Sequence, residues 1–128
     1  MVLIDSNIVL DIVTNDEHWF EWSRAQLEDA ALAGVLTIND IVYAEVSIGY
    51  DNVERVDELV LEMGLAIAPM PREALFLAGK VFQRYRAAGG ARRGVLPDFF
   101  IGAHAAVAGL PLLTAMRVAT GLTFPRWS

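Results

Sequence analysis

The stretch Val2-Leu3-Ile4-Asp5-Ser6-Asn7-Ile8 decides how this chain folds. Three apolar residues read as a short buried strand, and Asp5 ends it with a carboxylate followed by two small polar side chains. Open α/β sheets present their ligand sites at the carboxyl ends of strands, so an acid at that point is a candidate ligand group. Asp is also among the best helix N-caps, and taken alone the residue favours that plainer role.

Working outward, strands and helices alternate. The first strand is followed by a predicted helix through about Val13, and another runs from His18 to about Ala33, stopped by Gly34. Val35 to Ile38 reads as a strand, after which Asn39 or Asp40 caps a helix to about Ile48. Val53 to Met63 is predicted helical, and Leu65 to Ala68 is a strand. Pro71 suits the first turn of a long helix to about Ala88, ended by Gly89-Gly90. Pro97-Asp98 opens a helix through Ala108, and Leu112-Leu113-Thr114 is a fourth strand. Alternation of this kind gives a parallel sheet covered on both faces, a three-layer α/β/α domain with about four strands. No repeat or linker divides it, and residues 1–128 read as a single domain.

Composition narrows the function. The chain has no Cys, so thiolate metal ligands and disulfides are excluded. It is 55% hydrophobic with a mean hydropathy of +0.40, yet no apolar run reaches membrane-spanning length. The N-terminus has no basic start and turns acidic at Asp5, unlike a signal peptide. The expectation is a cytoplasmic protein, not a membrane one, whose excess apolar surface meets a partner. A net charge of -6 argues against a simple nucleic-acid binder but not against a nuclease whose acids hold cations. Trp19, Phe20 and Trp22 crowd the start of one helix, too many aromatics for one narrow face, so some are expected at a partner interface.

Two further acids stand in apolar company. Glu45 follows Ile41 by four residues and precedes Ile48 by three, which places it on their helix face. A carboxylate directed there must be paired, protonated or bound to a cation, and an Arg partner is as good a reading as a metal. Asp98 lies in a first helical turn, where the macrodipole stabilises negative charge, but Phe99-Phe100-Ile101 follow it and bring that end near the core. Acids gathered without Cys or clustered His favour a hard cation, Mg²⁺ or Mn²⁺, over zinc. His18 reads as a surface residue and His104, in an Ala-rich helix, as core packing.

These segments resemble the PIN-domain ribonucleases. Val2 to Ile8 is similar to their opening, Tyr43-Ala44-Glu45-Val46 to their second acid motif, and Leu96-Pro97-Asp98-Phe99-Phe100-Ile101-Gly102-Ala103-His104-Ala105 to their third. The last motif and the length look most like VapC-type toxins of toxin–antitoxin pairs. The resemblance implies a Mg²⁺- or Mn²⁺-dependent endoribonuclease that cleaves RNA, is neutralised by a cognate antitoxin, and forms a homodimer. It also implies that Asp5, Glu45 and Asp98 are catalytic metal ligands, with Ser6, Asn7 and Thr114 supporting them. Arg92 and Arg93, in a basic stretch with Arg84 and Arg86, are candidate RNA contacts.

The pattern holds from Met1 to Thr114 and then breaks. The family usually follows its Leu-Leu-Thr strand with Arg-Asp or Asn-Asp, whose Asp is a fourth acid, whereas Ala115 and Met116 stand here. Residues 115–128 can be encoded so that restoring one C reads Arg-Asp-Ala-Gly-Arg-Tyr-Arg-Thr-Tyr-Phe-Pro-Ala-Val-Glu-Leu, an ordinary family ending. Met116 and Trp127, with one codon each, both fit this repair. A frameshift after Thr114 is therefore expected, with the fourth acid lost, the last strand missing or altered, and activity impaired. The competing class is a weak or inactive PIN scaffold that still binds its antitoxin and itself. A phosphotransfer reading of Asp5 fails, because the second acid such sites place two residues on is Asn7 here.

Overall fold

Residues 1–90 and 96–114 are described by a computed structural model of the chain. The elements are β1 (Val2–Ile4), α1 (Ser6–Val13), α2 (Phe20–Ala33), β2 (Leu36–Ile38) and α3 (Asp40–Ser47). They continue with α4 (Val53–Glu62), β3 (Ala66–Ile67), α5 (Arg72–Ala87), α6 (Leu96–Ala108) and β4 (Leu112–Leu113). Local chemistry sets most boundaries. Asp5, Asn39 and Asn52 turn a side-chain oxygen to an orphan N–H of α1, α3 and α4 respectively. Gly64 and Gly109 follow α4 and α6 with φ of 67° and 66°, a conformation that costs glycine little.

Most starts fall within one residue of the sequence expectation, and the largest shift is at α2. The α2 helix begins at Phe20 rather than His18, because Asp16 Oδ1 accepts the backbone N–H groups of His18 and Trp19 and holds them in a turn.

The four strands are parallel in the order β3-β2-β1-β4. The chain adds β2 and β3 on one side of β1, then returns to lay β4 on the other. Right-handed crossovers in two opposite directions place helices on both faces of the sheet. The point where strand order reverses lies beside β1, and open sheets bind ligands at the carboxyl edge of such a point. The registers pair Ile4 with Leu113 and Leu3 with Thr37. Continued to the carboxyl edge, they set Asp5 between Thr114 and Asn39.

Two apolar clusters hold these layers. The main one gathers Leu3, Ile4, Ile8, Val9, Ile38, Val42, Val46 and Ile101 around β1. The second joins Ala74 and Ala78 of α5 to Phe99 and Ala103 of α6, with Phe82 and Tyr85 packed on Phe99. Helix α6 serves both clusters, so its first turn, which carries Asp98, is fixed from two sides. A central-strand truncation, Leu3→Ala, is expected to cost about 2–5 kcal/mol in urea unfolding. Leu32→Ala, at a side chain that is 90% exposed, is expected to change stability by less than about 0.5 kcal/mol.

Candidate active site

Asp5 is both things its sequence context allowed. It is the N-cap of α1, with Oδ1 accepting the Ser6 backbone N–H at 2.7 Å. It also belongs to a buried polar network, with Oδ2 accepting from Thr114 Oγ1 at 2.8 Å. The Ser6 hydroxyl lies between two carboxylates, 3.3 Å from Asp5 Oδ1 and 2.8 Å from Glu45 Oε1. A single small side chain at the start of α1 thus ties the end of β1 to the middle of α3. Asn7 is half-buried beside them.

Glu45 reaches this network by a different route from the one its spacing suggested. Ile48 does not share its buried face: it is 86% exposed and caps the end of α3. The buried residues of α3 are Val42 and Val46, and Glu45 is half-buried at the margin of their face, held by Ser6. No ion pair reaches Asp5 or Glu45 among the described residues. The Arg partner that would have made Glu45 a structural ion pair is absent from them.

Burial therefore acts on two uncompensated acids. Desolvation pushes the Asp5 carboxyl above the usual carboxylate range, against the bonds from Thr114, Ser6 and Asn7 that favour its charged form. Glu45 is also raised, first by desolvation and further by the charge of Asp5, with the Ser6 hydroxyl opposing. A buried like-charge pair of oxygens is the donor set a hard cation relieves, so the two residues fit a divalent ion.

Asp98 lies half-buried in the first turn of α6 and is not brought into one group with them. Among the described residues no three His, Asp or Glu side chains gather closely enough to hold a metal ion. Arg92, Arg93 and Met116 lie outside the described residues.

Two roles escaped the sequence reading. His104 is not mere packing: its Nδ1 lies 3.2 Å from Asn39 Nδ2, with both side chains buried. Asn39, expected only as a cap, spends Oδ1 on the Val42 N–H and its amide on this contact. The signal available was a polar residue inside each of two apolar runs. Of the aromatic trio, Phe20 is half-buried, while Trp19 and Trp22 are exposed and meet edge to face at 6.0 Å.

The PIN domain profile matches residues 2–115, nearly the whole described chain, and stops at the point where the sequence pattern breaks. The chain belongs to the PIN domain family. Solved structures with the same fold include VapBC2 from Rickettsia felis bound to a promoter DNA fragment, with a TM-score of 0.68 and 20% identity over 89% of this chain and 87% of that one. VapBC-1 from nontypeable Haemophilus influenzae matches with a TM-score of 0.65 and 18% identity, over 91% and 87% of the two chains. A toxin–antitoxin complex from Klebsiella pneumoniae matches over the full length of both chains, with a TM-score of 0.61 and 20% identity. At such identities the likeness carries the PIN fold and no more. No curated protein matches by sequence.

The raised acids carry a sign that can be measured. Because both folded-state values lie above the unfolded ones, the unfolded chain ionises first as pH rises. The metal-free PIN fold therefore loses stability as pH climbs through and above the carboxyl range. Asp5→Asn, which keeps an acceptor for the Ser6 N–H and removes one charge, is expected to raise the metal-free melting temperature at pH 7. At pH 4 it is expected to have a smaller effect, read by differential scanning calorimetry at both pH values.

Proposed function

We propose that this PIN domain is a metal-dependent endoribonuclease toxin of a type II toxin–antitoxin system. The observation that carries the reading is the Asp5–Ser6–Glu45 network, two desolvated carboxylates bridged at the switch point of a parallel sheet with no cationic partner among the described residues. Asp5 and Glu45 would hold a Mg²⁺ or Mn²⁺ ion, and Asp98, which is not grouped with them in the described residues, would have to approach from α6 to join the set. When bound, such an ion stabilises the charge that develops on a phosphodiester during hydrolysis.

The chain's own groups have separable tasks. Thr114 donates to Asp5 Oδ2, which orients that carboxylate and favours its charged form against desolvation. Ser6 sets the spacing of the two acids, donating its single hydroxyl proton to one at a time. The N-terminus of α1 opens at Asp5, where its dipole favours an anion. Arg92 and Arg93 would contact the RNA backbone as sequence-independent cations. The partner is a cognate antitoxin, a reading supported by the toxin–antitoxin complexes that share this fold. The exposed Trp19–Trp22 pair suits the rim of that interface, and the assembly is a homodimer acting in the cytoplasm.

A second reading has an observation of its own. The family pattern and the PIN profile both end near Thr114, and Met116 stands where a fourth acid belongs. A PIN scaffold that binds antitoxin and dimerises with little nuclease activity follows from that loss.

Cleavage of a labelled RNA in Mn²⁺ separates the two. The nuclease reading predicts metal-dependent cleavage that falls on the order of 100-fold or more in Asp5→Asn, since losing Lewis-acid stabilisation costs several kcal/mol. The impaired-site reading predicts weak cleavage that rises roughly tenfold or more in Met116→Asp, the scale of a lost supporting carboxylate. Cleavage equal in the wild type, Asp5→Asn and metal-free samples would sink both.

A further inference from the structure

Helices α3 and α6 carry Glu45 and Asp98, and a polar contact joins the cap of α3 to α6 beside the apolar packing of Val42, Val46, Ile101 and Ala105. Asn39 is completely buried at the carboxyl end of β2, and His104 is 2% exposed in the middle of α6. Each end of the Asn39 amide is committed. Its Oδ1 accepts from Val42 N at 2.9 Å and caps α3, which leaves Nδ2 to face His104 Nδ1 at 3.2 Å. An amide Nδ2 only donates, so His104 Nδ1 must be the unprotonated acceptor and the ring proton must sit on Nε2.

That arrangement admits a single protonation state. A proton added at Nδ1 would set two donors against each other in a buried site. Turning the Asn39 amide over would present Oδ1 to the imidazolium but take it from the Val42 N–H, uncapping α3. Either outcome breaks a buried bond that positions Glu45 relative to Asp98.

We propose that His104 is a positioning residue whose neutral Nε2–H form latches α6 to the cap of α3, and that its protonation releases the latch. The catalytic consequence rests on the nuclease reading above; the latch itself does not. Desolvation lowers the His104 pKa below the ordinary histidine value, opposed by Asp40, the residue after Asn39. Asp40 is the one charged group acting on the ring among the described residues. On the α5 side, α6 packs through Ala74, Ala78, Phe99 and Ala103, with Tyr85 against Phe99, and among the described residues no group from α5 shifts the ring. A histidine whose folded-state pKa is depressed contributes stability above its unfolded pKa, and that stability is lost as pH falls through the folded value. The latch is thus closed at neutral pH and opens in acid.

The two histidines of the chain make this directly readable. Long-range ¹H–¹⁵N correlation on the intact protein is expected to show His104 as a pure Nε2–H tautomer at pH 7, titrating below the ordinary histidine value. His104→Asn keeps an acceptor near the Nδ1 position without a titratable proton. It is expected to retain the wild-type folded-to-unfolded ratio within about threefold at pH 7 and to lose the His104-linked fall in acid.

His104→Leu strands the Asn39 amide and is expected to lower that ratio roughly tenfold or more, the scale of a lost helix cap. Asn39→Ser keeps a cap for α3 but removes the amide, and is expected to leave the ring in mixed tautomers. In the cleavage assay, His104→Leu should lower kcat more than it raises KM, and His104→Asn should rescue it. A mixed or Nδ1–H tautomer in the wild type, titration of His104 at or above the ordinary histidine value, or identical behaviour of the Leu and Asn variants would overturn the latch. Absence of RNA cleavage in the wild type would overturn the nuclease reading alone, since the tautomer and stability measurements do not depend on it.

Discussion

The molecule is organised around the cost of burying the Asp5 carboxylate at the end of its central strand. Asp5 is only 5% exposed, directly after the fully buried Ile4, and no described cation answers the charge. Four donors answer it instead: the Ser6 and Asn7 backbones, the Ser6 hydroxyl and Thr114. They come from the start of α1 and the end of β4, so the tolerance of that charge depends on strands β1 and β4 remaining in register. Burial still wins, since the carboxyl stays raised despite the donors. Stability withheld in the metal-free state is what a bound cation would return, and this links fold and function in one group.

Helix α6 transmits this constraint to the rest of the fold. Phe99 and Ala103 anchor it to α5, while Ile101 and Ala105 anchor it to the sheet core. His104 adds a directional contact, because apolar packing fixes distance but leaves sliding along the seam inexpensive. A hydrogen bond between two buried side chains, one of them already a helix cap, removes that freedom. The acids on α3 and α6 are then placed by the same contacts that close the core.

Much of this was legible in the sequence, for local reasons. The apolar triplet before Asp5, the Asn caps and the glycine stops act within a few residues of one another, so the elements and their parallel order could be read directly. Asp5 and Glu45 could be singled out as acids in apolar company, and the PIN resemblance grouped them. Helical spacing misled at Ile48, because a face defined by periodicity ends where the helix ends, and Ile48 is the last capping position. The Asn39–His104 contact spans a separation of 65 residues and depends on which face of α6 meets α3, which no local pattern encodes. For the same reason, Ser6 could be read as a polar neighbour of Asp5 but not as the bridge to Glu45, 39 residues away.

The central claim is that Asp5 and Glu45 form a cation site rather than a polar core feature. Calorimetric titration of the intact protein with Mn²⁺ at about pH 4.5, where carboxyls raised from their ordinary values are still partly protonated, repeated in two buffers of different ionisation enthalpy, tests it most directly. Raised carboxyls that become ligands must shed protons, so binding is expected with proton release, and both are expected to vanish in Asp5→Asn and Glu45→Gln. Mn²⁺ binding of unchanged affinity in those two variants, or no binding by the wild type at millimolar Mn²⁺, would contradict it.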